Sequence, residues 1–276
     1  MILLVGDGKR ADVVHAIAQV EPLVREHARD VVVELDCSHN FAKKAPKLVL
    51  NFGGDGSILH IARRLGAHQV PILGVNFGKF GFLAEFELPD LLVRIKEALD
   101  LKLPMRRSLM LQVDVHRGGK TVRHLAVNDV VLQRSPDGRM STIHVSRDGA
   151  ELAAYTGDGL VVSTPLGSTA HNLSAGGPIL HPEMDAMVLT PICAHTLSIR
   201  PLALPAGGVL KFWLDGDDSV NVTLDGQDTV KLAGDDYVEV RRADQPITLV
   251  AHPTRSYFDA LRAKFGWTSR AVVSRR

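Results

Sequence analysis

Near residue 104 the texture of the chain changes, and no other feature limits the possible folds as strongly. Before it, the short apolar runs Ile2–Val5, Val31–Leu35, Lys47–Phe52 and Val70–Asn76 alternate with longer stretches. Those stretches, Ala11–His27, Ser57–Leu65 and Asp90–Asp100, carry apolar residues at helical spacing. Strand-helix alternation of this kind predicts a parallel sheet with helices on its faces. After Pro104 the pattern is nearly all β: Met110–His116, Thr121–Arg134, Thr142–Arg147, Leu160–Thr164 and Leu197–Leu202 read as strands. So do Val209–Leu214, Val220–Leu224, Thr229–Leu232, Tyr237–Arg241 and Ile247–Ala251. Turn signals at Gly118-Gly119, Asp148-Gly149, Gly207-Gly208 and Asp225-Gly226 separate them, which predicts a sandwich. Tyr257–Phe265 turns helical again and is expected to return to the first domain. The expected fold is α/β plus all-β. A Rossmann-like parallel α/β domain covers 1–104, joined by 255–276, and a β-sandwich domain covers 105–254.

Composition narrows the function classes. The 276 residues carry 32 Lys and Arg against 31 Asp and Glu, so no global basic field exists to hold nucleic acid. Cys37 and Cys193 are far apart and lack metal-ligand spacing, which fits idle thiols in a reducing compartment. The opening run Met1–Val5 is far too short for a signal-peptide core or a membrane span, and no later stretch reaches spanning length uninterrupted. The expectation is a cytoplasmic protein with neither a membrane nor a nucleic-acid partner.

Two loops carry the chemistry. Gly53-Gly54-Asp55-Gly56-Ser57 follows an apolar strand and opens a helix. Glycines there admit close ligand approach, and the exposed N–H groups of a helix start favour an anion. Asp55 is out of place in a simple phosphate cradle, because its charge repels phosphate oxygens. Beside an acceptor hydroxyl, however, a carboxylate takes the proton as the oxygen attacks phosphorus. The plain alternative is an Asp and Ser that cap the helix. Neither a G-x-x-x-x-G-K-[ST] loop nor a G-x-G-x-x-G turn after a strand occurs. The second loop runs from Gly157 through Leu180. A strand enters a Pro165-Leu166-Gly167 turn, Ser168 or Thr169 is placed to cap a short helix, and Gly176-Gly177-Pro178 ends it. Hydroxyls, small residues and free N–H donors gather there, as ribose and phosphate recognition requires.

Together these segments resemble the NAD kinases. Gly53–Ser57 resembles that family's GGDG motif, and Gly78-Lys79-Phe80-Gly81-Phe82-Leu83 its G-x-L-G-F-L segment. Val127-Asn128-Asp129-Val130 resembles its Asn-Glu/Asp motif, and Asp158–Pro178 its long TPTGSTAYSLSAGGP signature. Weaker echoes lie in Pro191–Leu202 and Asp225-Gly226-Gln227. One short motif could agree by chance; all of them in order do not.

The resemblance implies an enzyme that transfers a phosphoryl group from ATP, or from polyphosphate, to the 2′-hydroxyl of the adenosine ribose of NAD. It implies Asp55 as the proton acceptor, with Gly53, Gly54, Gly56 and Ser57 at phosphates. Asn128 and Asp129 would hold the substrate ribose, and Asp158, Thr169, Ala170, His171 and Ser174 would line the dinucleotide pocket. Phe82 would cover the adenine, its alternative being an ordinary core aromatic. Arg139 and Gln227 would be further contacts, with a solvated surface Arg as the alternative for the first. Family members associate through the β-rich domain, so a homodimer or homotetramer is expected. Mg²⁺ would arrive with the triphosphate; His60, His68, His181 and His195 show no pair at metal-ligand spacing, and no metal site is predicted.

Departures from the family pattern are specific. His171 replaces the usual Tyr, with a ring that can still stack on a base or donate a hydrogen bond. Phe80 replaces a Leu, Leu166 replaces the Thr or Ser of the turn, and Thr156 stands where a basic residue is usual. The rivals are lipid kinases of the diacylglycerol type and phosphofructokinases, which share only the GGDG loop, and a silent NAD-binding protein.

Overall fold

The structure, a computed structural model, describes residues 1–267 except 42, 79, 80, 135–140, 197 and 217. Its internal contacts divide the chain into two units, Met1–Arg106 together with the segment from Thr248 onward, and Arg107–Ile247.

In the first unit β1 (Ile2–Gly6), α1 (Ala11–His27), β2 (Val31–Glu34), β3 (Leu48–Phe52), α2 (Asp55–Leu65), β4 (Ile72–Val75) and α3 (Leu88–Leu99) follow one another. The sheet is completed by β5 (Met105–Ser108) and, from the far end of the chain, β18 (Ile247–Val250), in the order β2-β1-β3-β4-β18-β5. β1 pairs in parallel with β2 and β3, β3 with β4, and β4 with β18. β3 and β4 are buried along their whole length, as strands covered on both faces must be, and their continuous apolar sequence follows from that. α1 buries Val13, Ala16, Ile17, Val20 and Val24, one stripe at helical period. It lies so close to β1 that a Cβ on Gly6 would strike the side chains of Val13 and Ile17. α5 (Tyr257–Phe265) starts at a capping box in which Ser256 Oγ accepts the Asp259 N–H at 3.3 Å.

The second unit is a sandwich of two antiparallel sheets. Its strands are β6 (Leu111–Arg117), β7 (Lys120–Ala126), β8 (Asp129–Arg134), β9 (Ser141–Arg147), β10 (Ala150–Gly157), β11 (Gly159–Ser163), β12 (Ala186–Ile192), β13 (Leu202–Pro205), β14 (Val209–Leu214), β15 (Ser219–Leu224), β16 (Asp228–Ala233) and β17 (Tyr237–Arg242). One sheet runs β10-β9-β14-β17-β6-β7 and the other β13-β12-β11-β8-β15-β16. Val113, Val145, Phe212 and Val240 from the first face Val130, Val162, Leu189 and Val222 from the second in one apolar core. Alternation in β14 and β15, with every second residue buried, produces that face. A 3₁₀ turn (Leu166–Thr169) and the one-turn helix α4 (His171–Ser174) connect β11 to β12.

Several expectations are corrected. The run Thr121–Arg134 is not one strand but β7 and β8, which belong to different sheets. The chain breaks between them because the Val127 and Asn128 N–H groups leave the ladder for the Asp225 carboxylate. No strand covers the described residues 198–201; β13 begins at Leu202. Ile247–Val250, expected in the sandwich, joins the parallel sheet, where Leu249 pairs with Ile72. α2 begins at Asp55 rather than Ser57, with Gly54 at its N-cap.

One ion pair in the first unit separates buried from exposed electrostatics. Arg64 Nη1 lies 2.6 Å from Glu34 Oε1, whose side chain is 1% exposed, and Arg64 Nη2 also donates to the Cys37 and His39 carbonyls. Arg64→Ala is expected to cost about 3 kcal/mol because it strands a buried carboxylate. Arg25→Ala, which removes the exposed pair with Glu21 on α1, should cost under about 1 kcal/mol. Urea unfolding of both variants checks this, and equal midpoints would contradict it.

Candidate functional site

In the first unit the chain leaves β3 at its carboxyl end, and the Gly53 N–H donates to the Val75 carbonyl at the end of β4 (2.9 Å). A Cβ on Gly53 would collide with Ser57 Oγ. That hydroxyl donates to the Gly54 carbonyl (2.8 Å) and accepts from buried Asn51 Nδ2 (2.8 Å). Ser57 therefore spends its proton bracing the loop. Gly54 and Gly56 are exposed, with open space where a side chain would stand.

Asp55 does not cap α2. Its carboxylate reaches across to a second loop, where Oδ2 accepts the Phe82 N–H at 2.9 Å and Oδ1 accepts those of Leu83 and Ala84, each at 3.1 Å. This approach requires Gly81, because a Cβ there would run into the Asp55 carboxylate. Oδ2 takes a single N–H and keeps a lone pair for another partner. The half-buried Phe82 ring packs against Tyr257 and Phe265 of α5, at centroid distances of 6.1 and 6.0 Å.

In the second unit a strap precedes β8. Asp225, on the β15–β16 turn, accepts the N–H groups of Val127, Asn128 and Asp129. Thr164 Oγ1 donates to the Val127 carbonyl (2.7 Å) and accepts the Gly167 N–H (2.9 Å). A Cβ on Gly167 would strike the Asn128 backbone, so this glycine brings the β11–β12 connection onto the strap. The connection is built around two fully buried side chains. Ser168 Oγ donates to the Pro165 carbonyl (2.6 Å) and accepts the Leu180 N–H (3.0 Å). Asn172 Nδ2 donates to the Ser168 and Pro178 carbonyls (both 3.0 Å), and its Oδ1 accepts from Thr190 Oγ1 (2.6 Å). Ser168 thus ties the loop together and caps nothing; α4 has Ala170 at its N-cap and no side-chain cap.

Asn128, Asp129, Thr169, Ala170, His171 and Ser174 are brought together by this packing, with His171 and Ser174 exposed and Asp129 only 4% exposed. Burial, then the neighbouring Asp225 charge, pushes the Asp129 carboxyl up to about 7, against the opposing hydrogen bond from the His171 N–H. Asp158 is not among them. It immediately precedes β11, whose other end, Ser163, pairs with Asp129, so it lies on the order of 13 Å or more away along the strand. There Arg134 Nε donates to it at 2.7 Å and holds its carboxyl below the usual range. Gln227 is exposed on the turn after Asp225. Arg139 lies outside the described residues. Sequence reasoning missed Gly81, Asp225 and Asn172 as builders of these loops. The second glycine of Gly78–Leu83 and the Asp-Gly turn were visible signals, but their partners, distant in sequence, were not.

The ATP-NAD kinase N-terminal domain family matches residues 2–100, and the ATP-NAD kinase C-terminal domain family matches residues 127–252. The chain belongs to the ATP-NAD kinase family. The NAD kinase of Geotalea daltonii is 36% identical over 254 residues, 91% of this chain and 89% of that one. The NAD kinase of Geobacter sulfurreducens is 41% identical over 220 residues, 79% of this chain and 78% of that one. Among solved structures, yeast NADH kinase complexed with NADH superposes with a TM-score of 0.89 at 23% identity, covering 100% of this chain and 90% of that one. An NAD kinase from Archaeoglobus fulgidus in complex with ATP gives 0.75 at 23% identity, covering 95% and 98%. These two likenesses establish the ATP-NAD kinase fold for the whole chain.

Asp129 links the strap to pH. Its folded-state value lies above the ordinary one of 3.8, so the folded form binds the proton more tightly. Its contribution to stability is full below about pH 4 and is lost as pH rises toward about 7. Asp129→Asn should therefore gain stability over the native chain across that interval, by on the order of 4 kcal/mol. Thermal melts of both proteins between about pH 4 and pH 8 test the sign. A difference that does not change with pH would contradict the buried, proton-retaining carboxyl.

Proposed function

We propose that the chain transfers the γ-phosphoryl group of Mg-ATP to the 2′-hydroxyl of the adenosine ribose of NAD, giving NADP and ADP. The observation that carries this reading is the Asp55 carboxylate at the mouth of α2, turned away from its own helix and held by three main-chain N–H groups. A carboxylate so fixed takes the ribose proton as the oxygen–phosphorus bond forms and the bond to the β,γ-bridging oxygen breaks. Gly53, Gly54 and Gly56 let phosphates approach main-chain N–H groups at the helix start. Asn128 and Asp129 hydrogen-bond ribose, and Thr169, Ala170, His171 and Ser174 border the dinucleotide. Gln227, Asp158, Arg139 and Phe82 are proposed as outer contacts. Mg²⁺ is proposed to arrive with the donor triphosphate, neutralising charge on the transferred group.

The relatives' names support ATP as donor and NAD as acceptor; polyphosphate is the alternative donor to be tested beside it. We further propose a cytoplasmic homodimer or homotetramer. No helix among the described residues is long and apolar enough to cross a membrane. The lipid and sugar kinases that share a GGDG loop do not account for the match over residues 127–252.

Purified protein incubated with Mg-ATP and NAD should produce NADP, read by an NADP-specific cycling assay. Asp55→Asn should lower turnover about 10²- to 10⁴-fold while NAD still binds. Unchanged turnover in that variant would remove Asp55 as the base, and no NADP with either donor would remove the proposed reaction. Gly81→Ala, which displaces Asp55 without altering its chemistry, should lower turnover on the order of 10²-fold with NAD affinity retained. Full activity there would contradict the need for the close approach.

A further inference from the structure

The β15–β16 turn brings a second carboxylate against Asp129. Asp225 Oδ1 accepts the Asn128 N–H at 2.7 Å and the Asp129 N–H at 3.2 Å, and both its oxygens lie within 3.1 Å of the Val127 nitrogen. In return its own N–H donates to the Asp129 carbonyl at 3.0 Å. Asp225 and Gly226 both hold positive φ, at 50° and 65°, a conformation that Asp tolerates better than most side chains. If the only requirement were to close a hairpin, Asn or Gly would serve as well there.

The two carboxylates are unequally provided for. Asp225 has three main-chain N–H donors, which favour its charged form. Asp129 is deeply buried and has one, from His171 of α4. The other element packed on it, β11, offers the neutral register partner Ser163. The charge that acts on Asp129 is that of Asp225. Two clasped carboxylates do not both ionise cheaply, so the proton goes to the one with fewer donors.

We propose that Asp225 is a positioning residue of the reaction: it keeps the negative charge of the pair, so that Asp129 meets the dinucleotide ribose as a hydrogen-bond donor rather than as a carboxylate. This rests on the proposed role of the Asn128–Asp129 strap. A neutral donor suits a ligand that carries two phosphates, because it adds a hydrogen bond without adding repulsion.

The test is NAD affinity by titration calorimetry between about pH 5.5 and pH 9, with thermal melts in parallel. In the native protein the dissociation constant should rise as Asp129 loses its proton, about tenfold per pH unit once past neutrality. His171→Gln should retain that rise, and its loss there would assign the effect to His171 and overturn the proposal. Asp225→Asn should move the onset of the rise to lower pH, and Asp225→Glu should restore it. An Asp225→Asn protein that melts earlier but keeps the native onset would make Asp225 a structural brace only. Asp129→Asn should bind NAD without the rise. If it binds as the native protein does at every pH, the strap does not contact the ribose, and the role proposed for it fails first. Carbon-13 NMR of the Asp129 carboxyl in the native chain needs no variant to fold. Titration near neutrality is expected, and a carboxylate already charged at about pH 5 would overturn the proposal.

Discussion

A carboxylate that gathers consecutive main-chain N–H groups is the interaction on which both loops depend. A segment leaving the end of a strand loses its ladder partners, and each buried N–H left without an acceptor costs about 1–3 kcal/mol. Asp55 answers that need for Phe82–Ala84, and Asp225 answers it for Val127–Asp129. Each charge is thereby stabilised by the loop it organises. Glycines complete the arrangement where a side chain would hold the partners apart: Gly81 beside Asp55, Gly167 beside Asn128, and Gly177 beside the Asn172 amide.

The two uses differ in what they leave available. Asp55 is half-buried, with one oxygen engaged by a single N–H, which suits a group that must accept a proton. Asp225 is consumed by the strap, and its effect is passed to Asp129, where burial and a neighbouring charge retain a proton to about pH 7. Main-chain donors favour the charge on one carboxylate, while burial and that neighbouring charge favour the proton on the other. No side chain of unusual type is needed for either.

Much of this was legible in the sequence, and the failures have physical causes. α1 and α5 coincide with their apolar periodicity because one face of each is buried against the first unit, and β14 shows its alternation because one face lines the sandwich core. Periodicity did not reveal the break between β7 and β8, since both are apolar on one face and the interruption comes from Asp225, 97 residues away from Asn128. Nor did it reveal β5, with one buried residue in four, or β10, whose pattern slips at the register shift between Glu151 and Ala153. In the loops, composition marked where hydroxyls gather but not how they are used. Ser57 and Ser168 look like ligand or cap residues and are internal braces. Asp158 sits in the motif block yet is carried to the far end of β11 by the extended strand itself.

The dependence of both loops on these carboxylates is tested most directly by amide hydrogen exchange of residues 82–84 and 127–129. In the native chain these amides should exchange slowly although all but that of Asp129 lie outside the named strands. Protection should vanish at 82–84 alone in Asp55→Ala and at 127–129 alone in Asp225→Ala, which remove the acceptor oxygens. Native amides that exchange at open-loop rates, or protection that survives both substitutions, would contradict the clasps as the interaction that builds the two loops.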